Sequence, residues 1–129
     1  MNDEPPKPTA LPVVFYKTPA GNEPVRDWLK GLETADRVLV GQDLQRVQFR
    51  FPVGMPLCRP MGSGLWEVRT DLEHGRIARV FFIIDEGEIV ALHGFIKRTR
   101  ATPPTELELA RKRQMEVWSW RKTRTTDRP

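Results

Sequence analysis

One cysteine in 129 residues, Cys58, excludes an internal disulfide framework and a cysteine-rich zinc site. Two histidines, His74 and His93, leave few nitrogen ligands for metal chemistry, so neither a metal nor another cofactor is expected. Missing as well are a P-loop, the G-x-G-x-x-G turn, the G-x-S-x-G nucleophile elbow and H-E-x-x-H. No run of about 18 apolar residues is present, which excludes a membrane-spanning helix. The opening Met-Asn-Asp-Glu-Pro-Pro-Lys-Pro lacks the apolar stretch of a signal peptide, and a reducing cytoplasm is the expected setting.

What is present suits one soluble domain with a single core. Hydrophobic residues make up 39% and charged residues 29%, with four Trp and six Phe, too apolar for a wholly disordered chain. The net charge is +4, but it is unevenly spread. Residues 97–129 hold ten Lys/Arg against four Asp/Glu, whereas the residues before them hold eleven against thirteen. A cationic end raises the expectation of a polyanionic partner, nucleic acid first, although a solvated basic tail has the same composition.

Four of the twelve prolines fall within the first twelve residues, so residues 1–11 are expected to be a disordered lead. A single domain is expected over 12–120, and a basic tail over 121–129. Val13 to Tyr16 reads as a short strand ended by Thr-Pro-Ala-Gly. Asn22-Glu23-Pro24 then opens a helix with Val25, Trp28, Leu29 and Leu32 on one stripe. A second helix from Thr34 is predicted to place Ala35, Val38, Leu44, Val47 and Phe51 inward and to end at Pro52. The prolines and glycines of 52–64 predict an irregular loop.

Three strands follow at 65–72, 76–84 and 88–97, and their short Gly-containing connections require antiparallel hairpins. Thr102-Pro103-Pro104 opens a last helix, predicted to reach Trp120. The fold class is α+β, with two N-terminal helices packed on an antiparallel β-meander and a C-terminal helix.

Alternation divides the strand residues into two faces. Trp66, Val68, Leu72, Ala78, Val80, Phe82, Ile84, Val90, Leu92, Gly94 and Ile96 form an apolar set expected under the helices. The opposite set carries Arg69, Arg79, His93 and Lys97 among Leu65, Phe81, Ile83 and Phe95. Cations interleaved with aromatics suit RNA. Arg69 reads equally as a partner for Glu67 or Asp71. His93 reads as a satisfied imidazole or as an acid–base group, and Lys97 with Arg98 as strand-end protection.

The strings Gly64-Leu65-Trp66-Glu67-Val68-Arg69, Arg79-Val80-Phe81-Phe82 and Leu92-His93-Gly94-Phe95-Ile96-Lys97-Arg98-Thr99, with Thr102-Pro103 and Glu106-Leu107-Glu108-Leu109-Ala110, resemble the phage-derived toxin-like branch of the RelE/HigB superfamily over about residues 13–115. That resemblance implies a RelE/ParE-like fold and the toxin of a type II toxin–antitoxin pair: a metal-independent endoribonuclease that cuts mRNA, often on the translating ribosome, and is held by a helix-turn-helix antitoxin. Carried over by position, it gives Arg69, Arg79 and Lys97 as catalytic residues, with Arg98 beside them. His93 is added for its chemistry. Arg98, Arg100, Arg121, Lys122 and Arg124 are expected to attract RNA. The same fold also hosts inhibitors of protein targets such as DNA gyrase, and a non-catalytic RNA-binding module would carry the same basic face.

Overall fold

The computed structural model describes residues 10–52, 54 and 57–126, the side chains of 122–126 excepted. In chain order the elements are β1 (Val13–Phe15), α1 (Pro24–Gly31), α2 (Thr34–Arg50), β2 (Cys58–Gly62), β3 (Leu65–Asp71), a 3-10 turn (Glu73–Gly75), β4 (Ile77–Asp85), β5 (Glu88–Lys97) and α3 (Pro104–Thr126). The strands form one sheet in the order β1-β5-β4-β3-β2. The meander β2 to β5 is antiparallel, and β1 adds a parallel edge against β5, with Val14 opposite Val90. Among the described residues no helix is long and apolar enough to cross a membrane.

The expected loop over 52–64 contains β2, a correction with a local cause. Ser63 and Gly64 both have positive φ, 54° and 81°, and lie between the paired Gly62 and Leu65, the mirror-image turn whose twist suits a two-residue hairpin. Pro60 is tolerated because β2 is an edge strand and the ladder is irregular beside it. Glu86-Gly87 closes β4 onto β5 in the same way, with φ of 50° and 75°.

Helices α1 and α2 cover one face of the sheet. Val25, Val40, Leu44 and Val47 pack there with Val68, Val80 and Phe82. Trp28 lies so close to β5 that a Cβ at Gly94 would sit 2.5 Å from its ring. The buried stripe of α2 runs through Asp36, Val40, Leu44 and Val47, whereas Val38, expected inside, is 50% exposed. A charged residue can hold an inward position because Arg76 grips Asp36 with two hydrogen bonds of 2.8 and 2.9 Å.

The other face lies under α3, whose Leu107, Ala110 and Val117 meet Leu65, Phe81 and Ile83. Buried Gln114 donates its amide to the Ser63 carbonyl at 2.7 Å. The expected faces of β5 hold only for its second half. Phe81 pairs with His93 but Phe82 with Ala91, so Leu92 is an extra residue in the ladder. This bulge turns Ile89 and Ala91 toward α1 and α2 and leaves Val90 and Leu92 under α3.

Ordered contacts also reach just past the expected bounds of 12–120 among the described residues. Leu11 is tied to α2 through its N–H to the Gln48 carbonyl at 2.9 Å and its own carbonyl to the Gln48 amide at 3.0 Å. At the other end α3 continues as helix through 121–126, beyond the predicted stop at Trp120. Residues 1–9 and 127–129 lie outside the described residues.

Candidate active site

Strand register brings two arginines together. Arg69 of β3 is directly opposite Arg79 of β4, and Arg79 in turn is opposite Phe95 of β5. The three side chains lie on the face that α3 covers, where like charges side by side repel unless something offsets them. Glu67, two residues before Arg69 on the same strand, supplies that offset. Its fully buried carboxylate accepts from Arg69 Nε at 2.7 Å, lies 3.8 Å from Arg59 Nη2 and accepts the Thr102 hydroxyl at 2.6 Å. Arg59 Nη2 also reaches the Thr102 hydroxyl at 3.4 Å. Two guanidinium groups therefore share one carboxylate, and a third, Arg79, stands opposite Arg69.

Arg79 is the least satisfied of them. It is completely buried, stands over the Phe95 ring at 5.6 Å and donates Nη2 to the Thr99 carbonyl, while Nε and Nη1 have no hydrogen-bond partner. Burial first, then the positive charge of Arg69, lowers its pKa from the ordinary value, with Glu67 opposing and Arg59 adding to the depression. Guanidinium stays protonated under such shifts. The result is a concentrated, under-neutralised positive charge. Arg69 Nη2 donates to the Arg100 carbonyl at 2.8 Å, so consecutive carbonyls of the β5–α3 connection engage the facing arginines.

His93 lies farther along the same face, its ring beside those of Phe81 and Phe95 with centroids 6.4 and 5.7 Å away, in a cluster of three whose two phenyl rings are 5.9 Å apart. Its Nε2 is hydrogen-bonded to Glu106, in the first turn of α3. The imidazole is thus both a packed group and half of a His–Glu pair. Lys97 ends β5 opposite Ile77, one pair beyond the Arg79–Phe95 pair in alternation, and is exposed. Arg98 and Arg100 are exposed in the connection that follows.

The basic end of α3 is not one surface. Arg121 is held against the β4–β5 turn, with Nε 3.1 Å from Asp85, Nη1 3.4 Å from Glu86 and Nη2 2.8 Å from Glu88. Trp120 stacks on Tyr16 at 6.0 Å, and Tyr16 donates its hydroxyl to Glu116 beneath Arg113, whose guanidinium lies 4.9 Å over the tyrosine ring. The side chains of Lys122 and Arg124 lie outside the described residues.

The sequence pattern identified Arg69, Arg79, His93 and Lys97, and the register places all four on one face of the sheet, with Lys97 at its exposed end. It missed Arg59, Glu67 as their shared counter-ion, Thr102 and Glu106. The signal for Arg59 was the Ser-Gly dipeptide at 63–64, which marks a hairpin and makes the residues before it a strand.

A cleft of about 660 Å³ opens beside this cluster, between α2 and the end of the sheet, and Arg59, Arg69 and Arg100 reach into it. Arg79 lies behind Arg69 and does not line it.

Residues 27–115 match the family model described as phage-derived protein Gp49-like (DUF891), and the chain belongs to that family, which is associated with toxin–antitoxin systems. The matched span holds the whole arginine cluster and His93, and leaves out β1 and the end of α3 that carries Trp118, Trp120 and Arg121. No curated protein matches the chain.

Proposed function

We propose that this Gp49-like chain is the toxin of a type II toxin–antitoxin pair in the RelE/HigB superfamily, and that it cuts mRNA by activating the ribose 2′-hydroxyl. One observation above all supports this reading: a fully buried arginine with two unpaired N–H donors, set directly opposite a second arginine whose position a buried glutamate fixes. Stability alone gives no reason to bury such a group. Phosphate oxygens are the acceptors that a pair of guanidinium forks matches best.

In the reaction the 2′-oxygen attacks the adjacent phosphorus, the P–O5′ bond breaks, and the products are a 2′,3′-cyclic phosphate and a 5′-hydroxyl. The nucleophile comes from the substrate, so the protein has to orient it, neutralise the charge that builds on the phosphoryl oxygens and move two protons. Arg69 and Arg79 take the charge. His93, with its ring nitrogen fixed by Glu106, is the group able to accept the 2′-hydroxyl proton. Lys97 can return a proton to the 5′-oxygen or add to charge stabilisation. A small helix-turn-helix antitoxin would hold the toxin inactive, and the translating ribosome would present the mRNA.

Mapping of 5′ ends in host RNA shortly after induction tests the reading. Discrete new 5′-hydroxyl ends and growth arrest are expected for the parent. Both should be lost in Arg69→Lys, which keeps the charge but not the fork. Growth arrest without new RNA ends would move the target to a protein, and unhindered growth would remove the toxin assignment.

A further inference from the structure

The cleft beside Arg69 does not end at the cluster. A second hollow of about 720 Å³ adjoins it along α2, and the two share Gln42, Arg46 and Leu57. The combined groove runs from Arg69 and Arg100, past Arg59 and Arg46, to Phe49 and Arg50. Among the described residues five arginines from four parts of the chain line it, against two carboxylates, Asp43 and Asp71. Of these, Asp43 is already paired with Arg46 at 3.1 Å. Phe49, at the far end, is 54% exposed, an aromatic ring that the fold leaves without cover beside two cations.

We infer that this groove along α2 binds the single-stranded RNA that flanks the scissile phosphate, with Arg59 and Arg46 on backbone phosphates beyond the one at Arg69 and Phe49 as a platform for an unstacked base. The inference rests on the RNA-cleaving reading and extends it to a surface that neither the sequence pattern nor the arginine cluster assigns. Charge complementarity carries the phosphate part. Arg59 and Arg69 approach the same oxygen of Glu67, at 3.8 and 2.7 Å, so their guanidinium groups are near neighbours spaced for adjacent anionic groups. Leu39, Leu57 and Ile77 on the walls and Phe49 at the end carry the rest, because apolar surface inside a cationic groove is met by bases that have left a helical stack. A duplex keeps its base faces covered and offers only phosphates.

The test uses the full chain and a labelled single-stranded RNA of about a dozen nucleotides whose 2′-hydroxyls are methylated, so that binding is read without cleavage. Anisotropy is followed from 50 to 200 mM salt. Each lost phosphate contact should flatten the log–log salt slope by about 0.7 for a single strand. The double variant R46Q/R59Q should therefore lose about sevenfold less affinity than the parent across that fourfold salt range. Phe49→Ala should leave the slope unchanged and weaken binding about fivefold or more at every salt concentration. A duplex RNA of the same length should compete poorly.

Circular dichroism confirms folding of each variant, and the exposed Arg46 and Phe49 are expected to tolerate replacement. Parent protein that binds and cuts RNA, while these variants keep its affinity and slope, overturns the groove alone. Equal competition by duplex does the same. A parent that neither binds nor cuts RNA overturns the RNA reading together with the groove.

Discussion

Replacing Arg79 by Met should leave the protein at least as stable as the parent while abolishing the proposed RNA cleavage. In the parent, Nε and Nη1 are buried without partners, and an unsatisfied buried donor costs about 1–3 kcal/mol. Against the two stand one charge-assisted hydrogen bond to the Thr99 carbonyl, about 1.5–3 kcal/mol, and the contact with the Phe95 ring, about 0.5–2 kcal/mol. These nearly cancel. The repulsion from Arg69, partly offset by Glu67 and reinforced by Arg59, remains, and methionine removes it while filling most of the same volume. The expected outcome is a gain of about 1 kcal/mol, at the low end of the range of about 1–4 kcal/mol seen when buried charges give way to apolar residues of similar size. Urea unfolding at neutral pH reads this directly, and the midpoint of thermal unfolding should rise by about 3–4 °C. Arg79→Ala, which leaves a cavity, should instead lose stability. A loss of about 2 kcal/mol or more in Arg79→Met would refute the reasoning, because it would mean that the guanidinium is held by the fold rather than tolerated for its chemistry.

Three further outcomes are expected. The paired hydrogen bonds from Arg76 hold the Asp36 carboxyl below its usual range, so the pair's stabilisation is complete above the unfolded carboxylate pKa and disappears as pH falls through the folded one; Asp36→Asn should flatten the acid limb of a pH–stability profile. Burial, with a smaller contribution from Asp43, pushes the Cys58 thiol up to about 11, and a thiol reagent at pH 8 should label the unfolded but not the native protein. Gly94→Ala puts a methyl group 2.5 Å from the Trp28 ring, and denaturant unfolding should show a loss of about 1–3 kcal/mol from overpacking.

Much of this molecule is legible from strand parity because the meander has short turns, and short turns fix register. Arg69, Arg79 and His93 share a face for that reason. Parity fails at Leu92, since a bulge leaves no mark in the alternation of apolar residues: Val90 and Leu92 are as apolar as the Ile89 and Ala91 that take their predicted places. In α2 the error has another source. Val38 looks more buried than Asp36 on any hydrophobic scale, and only the partner forty residues away, Arg76, reverses the order. Likewise Glu67 and Arg59 lie on strands that meet through a hairpin, and Glu106 meets His93 only after α3 folds back over the sheet. Long-range pairs of this kind are chemically ordinary in sequence and become specific through topology.

The carbonyls of Thr99 and Arg100 make the chain its own competitor. They belong to adjacent peptide units and hold the donors of the facing arginines, Arg79 and Arg69. An anion that takes those donors has to displace the peptide first, and linkage requires that the displacement work both ways: whatever steadies the β5–α3 connection lowers anion affinity by the same factor that anion binding loosens the connection. Each 1.4 kcal/mol by which the tethered peptide is favoured costs about tenfold in apparent affinity. Thr102, whose hydroxyl anchors the same segment to Glu67, adds to the strength of this competition. Weakening that anchor should therefore tighten anion binding, the opposite of what the loss of a hydrogen bond beside a binding site ordinarily does.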